Sequence, residues 1–240
     1  MAPLTTASRM AAPPRCEWAA APSAKEGSHS RTKEGSARDQ TSKRYCCFLS
    51  HYKVEAGSDA RYLNDLIARM TGVPCFLDSS DLSDLRTLMS EGVQQSDVLV
   101  VLGTKGVLTR PWCLLELWEA HTQGVPIIFV TVEGRGFDFG DAKHFASHFK
   151  EELEVANPGA LELVEKGLRQ QGATVDDLAA ALALLLDAAA PPERTSGASL
   201  TWHPFGSDNE VIADAQDLID KMAAVCGKQI EWRDPWRGEK

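Results

Sequence analysis

Between residues 45 and 230, short runs of consecutive apolar residues alternate with longer segments in which apolar residues recur every three or four positions. Short continuous runs are typical of strands buried on both faces, and the longer pattern is typical of amphipathic helices. The segment "DARYLNDLIARM" shows the helical spacing most clearly. Its apolar positions are Tyr62, Leu63, Leu66, Ile67 and Met70.

The alternation predicts five strands, each followed by helical sequence. The predicted strands are "YCCFLS" (45–50), "VPCFLD" (73–78), "DVLVVLG" (97–103), "VPIIFVTV" (125–132) and "SLTWHP" (199–204). The predicted helices are 59–70, 83–95, 110–124, 141–153, 160–172, 174–190 and 210–226. Strands this apolar need helices on both faces, so we expect an α/β fold: a flavodoxin-like, doubly wound, five-stranded parallel sheet. The fourth connection, 141–197, is enlarged and helical.

Composition changes sharply near residue 44. Residues 1–44 are rich in Ala, Pro, Ser, Lys and Arg, repeat "KEGS", and contain few residues that could anchor a core, which predicts a disordered tail. One folded domain is expected over 45–230, followed by a polar tail at 231–240. Residues 1–44 carry eight Lys/Arg against four acids, a net charge of +4. Since the whole chain has a net charge of −9, residues 45–240 have a net charge of −13. An acidic domain repels a phosphate backbone, so nucleic acid is not expected as the main partner.

The six cysteines show neither a CxxC motif nor a paired histidine spacing, and two are adjacent. The spacing therefore predicts no metal site and no disulfide framework, and free intracellular thiols are expected. No apolar run approaches the roughly 18 residues that a membrane span needs. A soluble, cytoplasmic protein is the expectation, although the basic, Ser- and Ala-rich N-terminus leaves a transit peptide open.

The predicted sheet locates a ligand site before any motif does. In doubly wound sheets, ligands bind beyond the carboxyl ends of the strands where the strand order reverses, here between the first and third predicted strands. The two loops at that point are Ser50–Asp59 and Gly103–Pro111, and the second leads into a helix carrying Trp112 and Glu116. Residues four apart share a helix face, so a ring and a carboxylate are expected at one crevice. Glu119, one turn later, is expected on the surface.

Several segments resemble, in the same order along the chain, those of the TIR (Toll/interleukin-1 receptor) domain family. The sequence pattern is most similar to that of plant-type members. "FLSHYKVEAGSDARYL" resembles the opening strand and the segment after it, with Asp59 and Arg61 in matching places. "CFLDSSDL" resembles the second strand and its loop, and "SDVLVVLGTKGVLTRPWCLLEL" resembles the third strand and the "WC-L-x-EL" helix. The resemblance covers about ninety residues, 45–136. The second loop departs from the family, because "SSDLSDLR" lacks its usual Arg-Gly.

The resemblance implies a TIR fold and an activity in signalling. Many members cleave NAD at the nicotinamide–ribose bond with a glutamate of this helix, and the matching residue is Glu116. NAD is then a substrate, no other cofactor is expected, and self-association with other TIR domains is implied. The candidate NAD-binding residues are Ser50, His51, Lys53, Lys105 and Trp112. Two alternatives stay open: a non-catalytic TIR interaction module, and a relative that processes nucleotides derived from nucleic acid.

Overall fold

The computed structural model describes residues 43–77, 88–190 and 200–236. Its strands are β1 (Phe48–Ser50), β2 (Leu99–Gly103), β3 (Ile127–Val132) and β4 (Leu200–Trp202). Its helices are α1 (Lys53–Thr71), α2 (Pro111–Thr122), α3 (Phe139–Ser147), α4 (Phe149–Ala156), α5 (Ala160–Arg169), α6 (Val175–Ala189) and α7 (Asp208–Cys226). A π-helical turn covers Leu88–Val93, and a 3₁₀ turn covers Val107–Thr109. The predicted tail up to residue 42, the loop "SSDLSDLR" and the last four residues lie outside the described residues.

The sheet is parallel, in the order β1-β2-β3-β4. The α/β class is therefore confirmed, but the described residues form four strands where the sequence predicted five. Among residues 73–77, the described part of the predicted second strand, Phe76 alone makes a parallel bridge, to Phe48. Pro74 has no N–H to lengthen that pairing, although its carbonyl accepts a bond from the Cys46 N–H at 3.1 Å. The ladder beside β1 is consequently too short to count as a strand.

The Phe76 segment nevertheless lies where a doubly wound sheet needs it. Leu49 donates its N–H to the Phe76 carbonyl at 2.9 Å, whereas Phe48 donates to Val98 at 2.8 Å. Successive residues of a strand point their N–H groups to opposite sides, so this segment and β2 flank β1 on its two edges. The strand order therefore reverses as it does in a doubly wound sheet, and the reversal falls between β1 and β2.

Helices cover both faces of the sheet. Leu49 and Val100 face a core built with α1 and α7, while Phe48 and Leu99 face a second core built with α2 and the helices α3–α6. All five residues of β2 are buried. This two-sided burial is what the unbroken apolar strand sequences predicted.

The helix α1 begins earlier than the sequence indicated. It starts at Lys53, so most of the predicted loop Ser50–Asp59 is helical, with one non-helical residue at Ala56 (φ −136°, ψ 21°). The Gly57-Ser58 pair suggested a turn, but Ala56 and Asp59 are buried in the fold. Tertiary burial has overridden local propensity here.

The enlarged fourth connection is helical, as predicted, and consists of α3–α6. Helix α5 packs closely on α2, because a Cβ added to Gly167 would lie 2.7 Å from a Leu115 methyl carbon. After α7, Trp232 packs on the α1/α7 core and Arg233 donates its N–H to the Met70 carbonyl at 2.9 Å. Within the described ranges, none of the helices has both the length and the apolar character that crossing a membrane requires.

Candidate functional site

A buried serine–glutamate pair lies at the carboxyl end of β1. Ser50, the last residue of that strand, donates its hydroxyl to Glu116 Oε2 at 2.5 Å. Ser50 is 1% exposed and Glu116 is 4% exposed. The pair joins β1 to α2 at the strand-order reversal, which is where the sheet topology predicted a ligand crevice. The sequence had selected both residues.

Local sequence explains how Glu116 reaches this position. Arg110 is extended, and Pro111 follows at the first helical position, where its fixed φ and missing N–H suit a helix start. The residues flanking Glu116, Leu115 and Leu117, are both buried. A helix that is apolar around most of its circumference is buried in the protein, and its carboxylate is buried with it.

The thiol of Cys113 lies one turn before the carboxylate. Its Sγ lies 3.5 Å from the His51 carbonyl oxygen, to which it donates. Burial raises the pKa of the Cys113 thiol, and the nearby charge of Glu116 raises it further. The thiol therefore stays protonated at neutral pH and is a poor nucleophile.

Two contacts between the start of α1 and the loop after β2, here called the rim, lie near the carboxyl ends of β1 and β2. The Arg110 guanidinium carbon lies 4.5 Å from the centroid of the Tyr52 ring, a cation–π contact. Gly106 donates its N–H to Glu55 Oε2 at 2.9 Å. A Cβ at Gly106 would lie 2.9 Å from Glu55 Oε1 and 3.2 Å from Tyr52 Cδ1, so a side chain at residue 106 would require the Glu55 carboxylate and the Tyr52 ring to shift.

The remaining predicted NAD-binding residues are less tightly grouped. His51 is half-buried, with Nδ1 3.2 Å from the Leu49 carbonyl oxygen, and Lys53 is exposed at the start of α1. Trp112 is 48% exposed in the first turn of α2, one turn before the carboxylate. Lys105 lines a cavity of about 270 Å³ together with Phe137 and Asp138 of the segment after β3. The roles of these residues in binding NAD stay predictions.

Glu119 is the buried charge that sequence reasoning missed. It was expected on the surface, but it is 4% exposed. Its carboxylate accepts hydrogen bonds from Gln94 Nε2 at 2.7 Å and from Gln171 Nε2 at 3.2 Å. The available signal was the apolar flank of α2, which leaves no polar stripe to carry Glu119 into solvent.

A further buried carboxylate belongs to Asp59 of α1. Asp59 of α1 is 3% exposed and accepts from the Arg135 guanidinium, with Nη2 at 2.9 Å and Nε at 3.1 Å. The family resemblance had selected Asp59 together with Arg61, yet Arg61 is exposed. Asp59 therefore has an internal structural partner that its local sequence did not indicate, and the pair links α1 to the segment after β3.

Comparison with solved structures finds a similarity to the TIR domains in the structure of the activated Roq1 resistosome directly recognizing the pathogen effector XopQ. The two chains are 17% identical, the match covers 74% of this chain and 99% of that chain, and the TM-score is 0.49. Neither a protein-family model nor a curated protein matches the sequence. Since so distant a similarity says nothing of activity, the functional conclusion depends on the residues of the site itself.

Proposed function

We propose that this chain is a TIR-type enzyme of signal transduction that cleaves the nicotinamide–ribose bond of NAD, with Glu116 as its catalytic carboxylate. One observation supports this most strongly: Glu116 is buried and hydrogen-bonded to Ser50 at the reversal of the strand order. A buried carboxylate at the carboxyl edge of a doubly wound sheet is a candidate for chemistry rather than for solubility.

A single carboxylate is sufficient for this reaction. Nicotinamide carries a positive charge in NAD and leaves as a neutral molecule, so no acid has to protonate it. Positive charge develops instead on the ribose carbon as the bond breaks, and a fixed negative charge stabilises it. In hydrolysis, water then adds to that carbon and releases a proton. Glu116 either stabilises the cationic ribose directly or orients its hydroxyls.

Ser50 holds the carboxylate in place for that task. Its hydroxyl comes from a strand end, the most rigid kind of support in the fold, and it fixes Oε2. Ser50 is therefore a positioning residue in this proposal. Trp112, half exposed one turn away, offers a ring that can stack on a ring of the NAD substrate.

The rim must open for a dinucleotide to reach Glu116 from the crevice between β1 and β2. The contacts that would separate are the Arg110–Tyr52 stack and the Gly106–Glu55 hydrogen bond. Both join surface elements and neither is a covalent or deeply buried link, so their separation is compatible with a loop motion. Self-association, which the TIR resemblance implies, is the proposed trigger for that opening.

The second candidate is a non-catalytic TIR module that recruits other TIR domains. Glu116 would then be an internal polar link, since a carboxylate that is 4% exposed and bonded to a serine also stabilises a fold. A measurement of NAD cleavage separates the two candidates.

The deciding experiment follows nicotinamide release from NAD by the purified full chain over a series of protein concentrations. We expect release by the wild type, with a rate per molecule that rises with concentration, and loss of release in Glu116→Ala and Glu116→Gln. Circular dichroism and thermal unfolding establish that both variants are folded. If concentrated wild type releases no more nicotinamide than Glu116→Ala, the enzyme proposal is wrong and the interaction module takes its place.

A further inference from the structure

Two adjacent cysteines, Cys46 and Cys47, and the distant Cys75 come together at the other end of β1. The Sγ atoms of Cys46, Cys47 and Cys75 all lie within 4.8 Å of one another, and Cys46 Sγ is 3.4 Å from Cys75 Sγ. Cys46 and Cys47 are fully buried, and Cys75 is partly exposed. In the described part of the chain this is the one group of three or more histidine, cysteine or acidic side chains spaced closely enough to share a metal ion.

Backbone geometry explains how two adjacent cysteines contribute to one cluster. Neighbouring residues of a regular strand point to opposite faces. Here the chain bends at Cys46, and β1 begins only at Phe48, so the alternation does not apply. Cys75 comes from the segment beside β1, which is held there by the Cys46 N–H to Pro74 carbonyl bond at 3.1 Å and the Phe76 N–H to Cys47 carbonyl bond at 2.8 Å.

The three sulfur atoms are close enough together to share one metal ion. Zinc–sulfur bonds are about 2.3 Å, so sulfurs around one ion are about 3.8 Å apart in a tetrahedral centre and about 4.0 Å apart in a trigonal one. The Cys46–Cys75 separation of 3.4 Å is shorter than either value, and the other two separations do not exceed 4.8 Å. Side-chain movements of up to about 1 Å would therefore bring the three sulfurs around one ion. Sulfur ligands select soft cations over Mg²⁺ and Ca²⁺.

A cation that binds the three thiols displaces their protons, so the affinity of the site for metal is expected to rise with pH.

We propose that Cys46, Cys47 and Cys75 form a binding site for one thiophilic d¹⁰ cation, Zn(II) or Cu(I). The ion adds a link between the start of β1 and the Phe76 segment, which already packs on Tyr45 and Phe48 through its phenylalanine ring. A fourth coordination position on the side of partly exposed Cys75 is filled by water when the ion is zinc. The site lies at the amino end of β1, whereas Ser50 and Glu116 lie at its carboxyl end, so the two sites are independent.

The test uses the full chain, reduced with a phosphine and kept anaerobic. Co(II), the spectroscopic substitute for Zn(II), is titrated while the thiolate-to-metal charge-transfer band is recorded. Zn(II) and Cu(I) affinities are measured separately, by competition with a chromophoric zinc chelator and with bicinchoninate. We expect saturation at one equivalent, and Cys75→Ser to weaken binding at least tenfold. Binding of either cation supports the site and identifies the ion, and binding of neither overturns it.

Cys226→Ser is the matched control, because Cys226 is also a partly exposed thiol but lies outside the cluster, where it donates to the Asp97 carbonyl at 3.6 Å. We expect this variant to bind within twofold of wild type. If Cys75→Ser fails to fold, alkylation of the wild type followed by mass spectrometry replaces it. Metal should then protect the partly exposed Cys75 from alkylation while Cys226 reacts as before. Equal binding by Cys75→Ser and wild type, or protection confined to other cysteines, would show that the proposal is wrong.

Discussion

Two glutamates of α2 are equally buried but have different surroundings. Glu116 and Glu119 are three residues apart, and each is 4% exposed. Glu116 accepts from the hydroxyl of Ser50 at the carboxyl end of β1. Glu119 accepts from the side-chain amides of Gln94, after the π-helical turn, and Gln171, after α5. Burial alone therefore does not distinguish a candidate catalytic group from an internal link.

Position in the sheet and the origin of the partners do distinguish them. Glu119 connects α2 to two flanking segments, one of which belongs to the enlarged fourth connection, so its hydrogen bonds tie separate parts of the fold together. Glu116 connects α2 to the strand-order reversal, where a ligand can approach between β1 and β2. Under the proposed function, Glu116 takes part in the chemistry and Glu119 stabilises the fold, and experiments on each residue test this division.

The largest expected effect is on NAD cleavage. Glu116→Gln keeps the volume of the side chain and removes its charge, so the developing positive charge on ribose loses its stabilising partner. Loss of one such electrostatic group costs about 10²–10³-fold in rate. Glu119→Gln removes an equally buried charge from the same helix and should stay within about threefold of wild type, since it stabilises no reacting atom. Initial rates of nicotinamide release measure both.

Comparable losses of NAD cleavage in Glu116→Gln and Glu119→Gln would contradict the proposed difference between the two glutamates. The activity would then depend on the integrity of α2 as a whole rather than on the carboxylate beside Ser50. Rates have to be compared at equal folded fraction, determined from the thermal unfolding curve of each protein, so that a partly unfolded sample is not taken for an inactive enzyme.

The next effect is on stability, where we expect a larger loss from the change at Glu119 than from the change at Glu116. Glu119→Ala leaves two amide donors without their acceptor and opens a space in the packing of α2, so the free energy of unfolding should fall by about 2–3 kcal/mol. Glu116→Gln retains an oxygen that accepts from Ser50, and we expect a change below about 1 kcal/mol. Urea denaturation followed by circular dichroism gives both values. A larger loss in Glu116→Gln than in Glu119→Ala would identify Glu116 as the internal link.

The sequence predicted the architecture well because strand and helix periodicities are local signals. The unbroken apolar runs predicted two-sided burial, and the helical fourth connection was recognised from its spacing. In the described residues, the predicted second strand is present only as the Phe76 bridge. The sequence did not indicate this, because a short apolar run containing Pro74 does not show how far a ladder extends. The early start of α1 was missed because Gly57 and Ser58 have low helix propensity, while burial of Ala56 and Asp59 is a tertiary effect.

The candidate site was predictable only where topology places residues. The rule for doubly wound sheets led to the loop that begins at Ser50 and to the loop that leads into the helix of Glu116. The TIR resemblance then selected the two residues, and the structure brings them into contact. Partnerships between distant segments had no local signature. The pairing of Asp59 with Arg135 and the gathering of Cys75 beside Cys46 each depend on backbone approach across the fold, which residue spacing does not encode.

A smaller effect separates the partners of the two glutamates. Ser50→Ala removes the hydroxyl that fixes Glu116 Oε2, and one hydrogen bond to a charged group is worth about 1.5 kcal/mol, so NAD cleavage should fall about tenfold. Gln94→Ala removes a donor to Glu119 and should lower the free energy of unfolding by about 1 kcal/mol with unchanged activity. The same two assays check both variants, and Ser50→Thr, which retains a hydroxyl, should recover most of the lost rate. No recovery by threonine would mean that the space beside Ser50, rather than its hydrogen bond, is what matters.

The smallest effect uses Cys113 as a reporter of nearby charge. Burial raises the pKa of this thiol first, and the charge of Glu116, one turn away, raises it further. Replacing that charge in Glu116→Gln should lower the thiol pKa, so that alkylation of Cys113 by iodoacetamide becomes about two- to threefold faster at a given alkaline pH. Glu119→Gln, which lies farther along the helix and faces Gln94 and Gln171, should leave the alkylation rate of Cys113 as in wild type. Peptide mass spectrometry across a pH series resolves this site from the other cysteines. Equal acceleration in both variants would indicate that α2 loosens whenever either glutamate is replaced, and the separate electrostatic role of Glu116 would lose its support.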